Sequence, residues 1–187
     1  MRHSVFVTGG TGYMGRRLIP LLIKRSHEVK ALVRKGAESK LPGGTQCVIG
    51  DALRTDSYTE HVWRTDTFVH LIGVPHPSPA KAKQFHDVDL VSIKVAIIAA
   101  REAGIRHFIY LSVAQPAPVM KEFIAVRSAG ESTIRESGIN ATFVLGMCSG
   151  RGIAGLTQSC RFIGCWKKFR RLKSLRSGLD WSPSIKC

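Results

Sequence analysis

The sequence lacks most of the features that would place it outside the soluble, single-domain proteins. Its five cysteines are an odd number and include no Cys-x-x-Cys pair, so neither a disulfide framework nor a zinc site is indicated. Its apolar stretches are too short and too interrupted to span a bilayer, and the first ten residues lack the apolar segment of a signal peptide. These absences predict a soluble, cytoplasmic protein with reduced thiols, no membrane span and no metal.

Acidic residues are also scarce, and their scarcity is uneven along the chain. The 187 residues contain 13 Asp and Glu against 28 Lys and Arg, which gives a formal net charge of +15. Residues 145–187 carry +8 of this charge, with Asp180 as their single acid, and they hold four of the five cysteines. A basic surface attracts phosphates, but this excess is concentrated at one end of the chain.

The first 144 residues alternate short apolar stretches with segments of helical periodicity. Near-continuously apolar strands that alternate with helices are typical of a parallel sheet covered on both faces. With right-handed crossovers, the predicted fold class is α/β, a Rossmann-like, doubly wound parallel sheet that stops after about six strands. Because the alternation ends after Val144, we expect a domain over 1–144 and a different segment over 145–187. Strands are predicted over residues 4–9, 27–34, 45–51, 66–74, 107–113 and 140–144, and helices over 13–26, 84–103 and 118–137.

A glycine-rich turn joins the first predicted strand to the first predicted helix. The stretch TGGTGYMGR spaces Gly9, Gly12 and Gly15 three residues apart and places Tyr13 and Met14 between the last two. Glycines at this point allow a tight turn, let the backbone approach a pyrophosphate, and let the helix pack on the sheet. The helix N-terminus offers unpaired N–H groups to the anion. The turn therefore predicts a dinucleotide site, with a purely structural turn as the alternative.

The ends of the second and third predicted strands bear on the choice of dinucleotide. An acid after the second strand would bind a ribose 2′-hydroxyl, whereas this strand ends in Arg34 and Lys35, which suit a 2′-phosphate. This favours NADP(H), with NAD(H) as the second choice, unless the two cations are simply solvated loop charges. Asp51, followed by Ala52, ends the third strand. Its carboxylate is suited to accept a hydrogen bond from the adenine amino group or to cap the following helical turn.

These motifs resemble those of the atypical, extended-type short-chain dehydrogenase/reductase superfamily. The similarity points to NmrA-like proteins and to relatives of the nucleotide-binding accessory subunit of respiratory complex I. It covers residues 1–144 and rests on VFVTGGTGYMGRRLIPLL, GDAL, HLIGVPHPSPAKA, AGIRHFIYLSV and SGINATFV. The resemblance implies a Rossmann domain carrying NAD(P), with the glycine turn, Arg34, Asp51 and the loop at Ile72 and Gly73 near the nucleotide.

The catalytic pair of that superfamily is not conserved in this sequence. Members that transfer hydride use a Tyr-x-x-x-Lys pair on the helix after the fifth strand, in which the Tyr donates a proton and the Lys holds the nicotinamide ribose. The matching positions here are Phe123 and Arg127. Phenylalanine has no proton to donate, and a guanidinium stays protonated. Ser112 and Arg127 are the only remaining candidates for a catalytic role.

Two classes of function therefore remain open. The first is nucleotide binding or redox sensing without orthodox catalysis, which Phe123 favours. The alternative is an NADPH-dependent oxidoreductase, epimerase or dehydratase that acts on a small carbonyl or sugar-nucleotide substrate. His70, His86 and His107 each stand alone on a strand or helix face and are predicted to be structural. Cys47 is predicted to be a buried strand residue.

Three interpretations fit the basic tail. Its segment FIGCWKKFRRLK places Trp166 and Phe169 on one side of a helical projection, as in an interfacial amphipathic helix or an arm that binds phosphates. The third interpretation is a frameshift. When the codons that could encode the tail are read one nucleotide out of frame, they allow the residues that follow the sixth strand in the resembled proteins. The pair Met147 and Cys148, for example, yields Val. We therefore predict a frameshift near Val144, a poorly ordered tail and no nucleic-acid partner.

Overall fold

The computed structural model describes residues 2–113 and 120–146. The interpretation of the tail as frameshift-derived and poorly ordered falls on residues 147–187, which lie outside the described residues. The last described strand continues to Gly146, two residues beyond the boundary that composition suggested.

Six parallel strands form one sheet in the order β3-β2-β1-β4-β5-β6, which confirms the predicted fold class. From β1 the chain adds β2 and β3 on one side of the sheet, and it then returns to add β4, β5 and β6 on the other side of β1. The sheet therefore reverses between β1 and β4, and folds of this kind bind ligands at the carboxyl ends of the strands beside such a reversal. The strands are β1 (Ser4–Thr8), β2 (Glu28–Val33), β3 (Gln46–Ile49), β4 (Thr67–His70), β5 (His107–Val113) and β6 (Ala141–Gly146).

Five α-helices accompany the sheet in the described residues. They are α1 (Gly15–Lys24), α2 (Thr59–Val62), α3 (Ala82–Gln84), α4 (Val91–Glu102) and α5 (Lys121–Glu136). The single helix predicted over 84–103 is wrong in one respect, because a π-helical turn at Phe85–Leu90 separates α3 from α4. Such turns insert an extra residue into a helix and are frequent at functional sites. No helix within residues 2–113 and 120–146 has the length and apolar character needed to cross a membrane.

The core lies between the sheet and helices α2, α4 and α5. Strand register sets Phe6, Phe68 and Phe108 side by side across β1, β4 and β5, with ring centroids 5.3 and 5.1 Å apart. All three rings are fully buried, and each aromatic contact adds about 1 kcal/mol to the free energy gained by burial. On the opposite face of β5, Ile109 and Leu111 are only partly buried.

The connection between β2 and β3 differs from an ordinary strand–helix–strand unit. It contains only a 3₁₀ turn, Glu38–Lys40, so this connection supplies no helix to cover the face of β3 that carries Cys47 and Ile49. The prediction that Cys47 is buried is therefore wrong, because its side chain is exposed. Val48, which faces the opposite way, packs into the core.

Candidate functional site

The glycine turn occupies the carboxyl end of β1, at the reversal in the sheet. Gly9 has a φ of +78°, and a Cβ there would lie 2.9 Å from the Leu71 carbonyl carbon. A Cβ on Gly15 would overlap the backbone of Gly10. The Gly12 N–H donates to the Gly9 carbonyl at 3.1 Å, which closes the turn. The first and last glycines are thus required sterically.

Backbone N–H groups in this turn and just before α1 have no hydrogen-bond partner among the described residues. Those of Thr11, Tyr13 and Met14 donate no hydrogen bond to any residue of 2–113 or 120–146. The first turn of α1 carries no acidic residue that would occupy them. The Arg17 guanidinium stacks over the Tyr13 ring at 3.6 Å. An anion placed here would receive several amide hydrogen bonds and the positive end of the helix dipole.

A shallow groove of about 450 Å³ lies beside the ends of β2 and β3. Within the described part of the chain, neither Arg34 nor Lys35 has an ion-pair partner. Ile49 and Leu53 are 54% and 38% exposed, which gives the groove an apolar wall beside its two cations. The lining residues are Arg34, Lys35, Ile49, Gly50, Asp51 and Leu53.

Asp51 forms a local turn with Leu53 and is not the N-cap of the helical turn that follows, which begins after Arg54 without a side-chain cap hydrogen bond. Its Oδ1 accepts the Leu53 N–H at 2.9 Å, and its own N–H donates to the Ser57 hydroxyl at 3.0 Å. Ala52, which follows it, is partly buried against the core. The second carboxylate oxygen accepts no hydrogen bond from a described residue, so the turn fixes Asp51 while leaving that oxygen at the groove.

The loop after β4 lies directly against the glycine turn. The Leu71 N–H donates to the Thr8 carbonyl at 3.1 Å, and the Ile72 nitrogen would be 3.1 Å from a Cβ on Gly9. Ile72 and Gly73 follow at once. The structure therefore brings together the glycine turn and the loop at Ile72 and Gly73, as the resemblance implied.

Arg127 is buried, and its guanidinium forms hydrogen bonds to groups inside the protein. Its side chain is 7% exposed, and its Nη2 donates to the Asp89 carboxylate, which is 0% exposed, at 3.0 Å. Its Nη1 donates to the carbonyl of Leu111 at 3.1 Å and contacts the Tyr110 hydroxyl at 3.5 Å. Both terminal nitrogens also donate to the Ile72 carbonyl at 3.3 Å. Burial raises the pKa of Asp89, and the charge of Arg127 opposes this rise.

A buried chain of hydrogen bonds runs behind the glycine turn. The Ser92 hydroxyl donates to the Asp89 carbonyl at 3.1 Å, so Ser92 accepts from Nε2 of His70 at 3.4 Å. Nδ1 of His70 then accepts from the Thr8 hydroxyl at 3.0 Å. Burial lowers the pKa of His70 to about 3, and the Arg127 charge acts in the same direction. This histidine is therefore neutral and links β1, β4 and α4.

The other positions considered for catalysis are also occupied by packing. Phe123 is 9% exposed, and its ring packs edge-on against Phe85 with centroids 5.2 Å apart. Ser112 is buried and donates its hydroxyl proton to the Glu131 carboxylate at 2.5 Å. Glu131 also pairs with Arg135 at 2.8 Å. In the described residues, no three His, Cys, Asp or Glu side chains are grouped so as to hold a metal ion.

Sequence reasoning missed Asp89 and Glu131, the two acids that hold Arg127 and Ser112. Asp89 lies in FHDVDL, where a second acid interrupts an otherwise apolar helical pattern. A buried acid in such a pattern normally has a cationic partner, and Arg127 was the available one. That signal was present, but the partner is 38 residues away and only the tertiary fold identifies it.

Residues 9–145 of the chain match the NAD(P)H-binding protein family. Among curated proteins, the chain is 30% identical over 109 residues to a 4-hydroxy-2-methyl-3-oxo-4-farnesyl-3,4-dihydroquinoline-1-oxide ketoreductase from Stigmatella aurantiaca, covering 57% of this chain and 32% of that protein. It is 27% identical over 146 residues to the photosystem II assembly factor Ycf39 of Cyanophora paradoxa, covering 74% of this chain and 43% of that protein. The chain thus spans less than half the length of these two relatives.

A solved structure shares the fold over a similar range. The Bordetella bronchiseptica enzyme WbmH, in complex with NAD+, superposes with a TM-score of 0.66 and 17% identity. The superposition covers 82% of this chain and 59% of WbmH. At this identity the likeness shows the Rossmann-like fold and nothing finer.

Proposed function

The chain belongs to the NAD(P)H-binding family, within the short-chain dehydrogenase/reductase superfamily, and on that premise we propose that it binds NADP(H) without orthodox catalysis. The observation that carries the proposal is the row of amides at Thr11, Tyr13 and Met14, which have no partner among the described residues. The groove at the ends of β2 and β3, lined by Arg34 and Lys35, supports it. In this proposal the amides hold the diphosphate. Gly9, Gly12 and Gly15 give it access to the backbone.

The groove at the ends of β2 and β3 fits the adenosine part of the cofactor. Ile49 and Leu53 offer an apolar surface to the purine, and the unused oxygen of Asp51, beside Ala52, is available to the adenine amino group. Arg34 and Lys35 flank this surface and would bind a 2′-phosphate. The proposed order of preference is therefore NADP(H) over NAD(H).

Absence of turnover is proposed from the side chains on the other half of the site. Phe123 has no exchangeable proton, the Ser112 hydroxyl donates its hydrogen bond to Glu131, and Arg127 is held by Asp89. The bound cofactor would supply hydride chemistry to any substrate, but none of these groups is available to move a proton at that substrate. A relative that is named as an assembly factor, and not as an enzyme, supports the same proposal.

The second candidate is an NADPH-dependent oxidoreductase, epimerase or dehydratase. The ketoreductase relative favours it, since that protein matches over more than half of this chain. A small carbonyl compound or a sugar nucleotide would be its substrate. The proton donor would then have to come from residues other than Phe123, Ser112 and Arg127.

Calorimetric titration of the 187-residue protein with NADP+, NADPH, NAD+ and NADH tests the proposal. We expect binding of all four, with the phosphorylated pair about tenfold tighter, because two cations meet the 2′-phosphate. Absorbance at 340 nm in the presence of NADPH and a panel of aldehydes and ketones should stay constant. Failure of every dinucleotide to bind would refute the main proposal, and steady NADPH consumption would establish the second candidate.

The predicted tail and location remain proposals of the same kind. The family match stops at residue 145, which supports a foreign sequence beyond that point. Sequencing the gene across the codons for Phe143 to Met147 tests for the shifted reading frame. The cytoplasmic location is proposed from the cysteine pattern, and no nucleic-acid partner is proposed.

A further inference from the structure

We propose that the Arg127–Asp89 ion pair is a positioning device that sets the conformation of the loop Ile72–Val74 and so controls binding of the nicotinamide half of the dinucleotide. This inference rests on the proposed function. It replaces the ribose-binding role that the resemblance implied for the residue at position 127 with a different one.

The first step is that the two members of the ion pair hold the two sides of one glycine. Arg127 donates through both terminal nitrogens to the carbonyl of Ile72 at 3.3 Å. Asp89 accepts the N–H of Val74 at 2.8 Å through Oδ1, while its Oδ2 binds Arg127. Gly73 lies between these anchors. The loop and the ion pair thus form one hydrogen-bonded ring.

The second step is that this arrangement of the Arg127 guanidinium fits only because residue 73 is glycine. A Cβ built on Gly73 would overlap Nη2 of Arg127, and the next nearest group is the Asp89 carboxylate at 3.8 Å. The guanidinium therefore occupies the space that any larger residue at position 73 would need. Arginine is required because its planar head reaches Ile72, Leu111 and Asp89 together, whereas a lysine ammonium is a single point.

The third step connects the loop to the cofactor site. Ile72 follows Leu71, whose carbonyl carbon would lie 2.9 Å from a Cβ on Gly9. A dinucleotide whose diphosphate sits on the glycine turn must therefore pass beside the loop. Asp89 lies in the π-helical turn Phe85–Leu90. In this proposal, the turn serves to orient the Asp89 carboxylate toward Arg127.

The ion pair lies far from solvent, so its energy depends on geometry more than on charge alone. The Arg127 side chain is 7% and the Asp89 side chain 0% exposed, and removing one partner would leave the other charge buried. Changes that keep a side chain of similar size but break only part of this hydrogen-bond network are therefore the sharper probes. Arg127→Lys and Asp89→Asn are such changes.

The test compares two ligands on the full chain by calorimetry. NADP+ carries both halves of the dinucleotide, whereas adenosine 2′,5′-bisphosphate carries only the half assigned to the groove at Arg34 and Asp51. We expect Arg127→Lys and Asp89→Asn each to weaken NADP+ binding about tenfold, because preorganisation of the loop is lost. Affinity for adenosine 2′,5′-bisphosphate should stay within about twofold.

A matched control is Arg135→Lys, which changes an arginine on the same helix that pairs with Glu131. We expect it to leave both affinities within about twofold. Variants that lower both affinities equally, or neither, would overturn the positioning role while leaving the proposed function intact. Wild-type protein that binds neither ligand would instead refute the proposed function.

A double-mutant cycle gives a second readout that a purely structural role would not produce. Gly73→Ala should weaken NADP+ binding about tenfold in the wild-type background, because its methyl group displaces the guanidinium. In the Arg127→Lys background the same change should cost threefold or less, about the residual cost of the methyl group itself. Equal losses in both backgrounds would overturn the steric link between Gly73 and Arg127.

Discussion

The groove at Arg34 and the cluster at Arg127 both carry arginine, yet they differ in what that arginine still has to offer. In the groove, Arg34 and Lys35 have no ion-pair partner among the described residues and lie at the surface. In the cluster, Arg127 is buried and donates hydrogen bonds to one carboxylate, two carbonyls and a hydroxyl. The comparison shows that a residue's type does not reveal its role. One arginine is available to a ligand, and the other is part of the scaffold.

This difference has a functional consequence for the two halves of a dinucleotide. The groove can still contribute binding free energy, since its cations gain a partner when a phosphate arrives. The cluster cannot add a new charged contact without breaking an existing one, which would leave a buried group unpaired. We therefore expect affinity to depend mainly on the groove and the glycine turn.

The largest effect should follow from blocking the turn on which both halves depend. Gly15→Ala places a Cβ on the backbone of Gly10 and should weaken NADP+ binding by at least about 30-fold, or about 2 kcal/mol. Calorimetry well below the melting temperature measures the affinity, and circular dichroism checks folding. Gly43→Ala is the matched control, because nothing lies within 4 Å of its Cβ position. Unchanged affinity in Gly15→Ala would contradict the assigned role of the turn.

The next effect concerns the buried cluster and its response to acid. The pKa of His70 is lowered to about 3 in the fold, so the unfolded chain binds the extra proton first. Stability should therefore be constant above about pH 6.5 and fall as the pH drops toward 3, by about 2 kcal/mol at pH 5 from this group alone.

Urea denaturation of wild type and His70→Gln at pH 7 and pH 5 measures this contribution. The variant should lose less stability than wild type over the interval, because glutamine does not titrate. His61→Gln, at an exposed site, should lose as much as wild type. A His70→Gln profile parallel to that of wild type would show that the imidazole is not buried in its neutral form.

A smaller effect is expected from neutralising the groove. Arg34→Gln with Lys35→Gln should weaken NADP+ binding about tenfold, or about 1.4 kcal/mol, and leave NAD+ binding nearly unchanged. The double change Lys94→Gln with Arg101→Gln removes two cations from a separate groove between α4 and α5 and serves as control. Equal losses for NADP+ and NAD+ would mean that the cations do not recognise the 2′-phosphate.

The smallest effect should come from restoring the missing hydroxyl of the catalytic pair. Phe123→Tyr adds a polar group to a packed apolar cluster and should destabilise the fold by about 1 kcal/mol. It should not create NADPH turnover, since Arg127 stays bound to Asp89. Phe85→Tyr adds the same group to the same cluster and controls for stability. Carbonyl reduction by the Phe123→Tyr variant would show that the cluster is not the obstacle to catalysis.

The sequence alone was sufficient for the sheet and the glycine turn because both depend on local patterns. Strand, turn and helix follow one another within 24 residues, and the spacing of Gly9, Gly12 and Gly15 has few structural explanations. Right-handed crossovers then favour a doubly wound sheet. Strand ends were less certain: the strand predicted over 66–74 ends at His70, where the Leu71 N–H turns to the Thr8 carbonyl.

The rest of the site could not be predicted because it depends on partners distant in the chain. Arg127 matched the position of a ribose-binding lysine, but its pairing with Asp89 across 38 residues follows from how α5 packs against the π-helical turn. The hydrogen bond from Ser112 to Glu131, 19 residues further along the chain, likewise depends on the tertiary fold. Cys47 was misplaced for a different reason, since apolar alternation predicts a strand but not whether a helix covers it.

The uncovered side of β3 has a practical consequence for anyone handling the protein. This four-residue strand lies at the edge of the sheet and presents the Cys47 thiol to solvent, two positions from Ile49 in the wall of the groove at Arg34. Air oxidation would act at that sulfur, so samples need a reductant. The same sulfur is also a point for attaching an environment-sensitive dye. The emission of that dye would change when a nucleotide binds in the neighbouring groove.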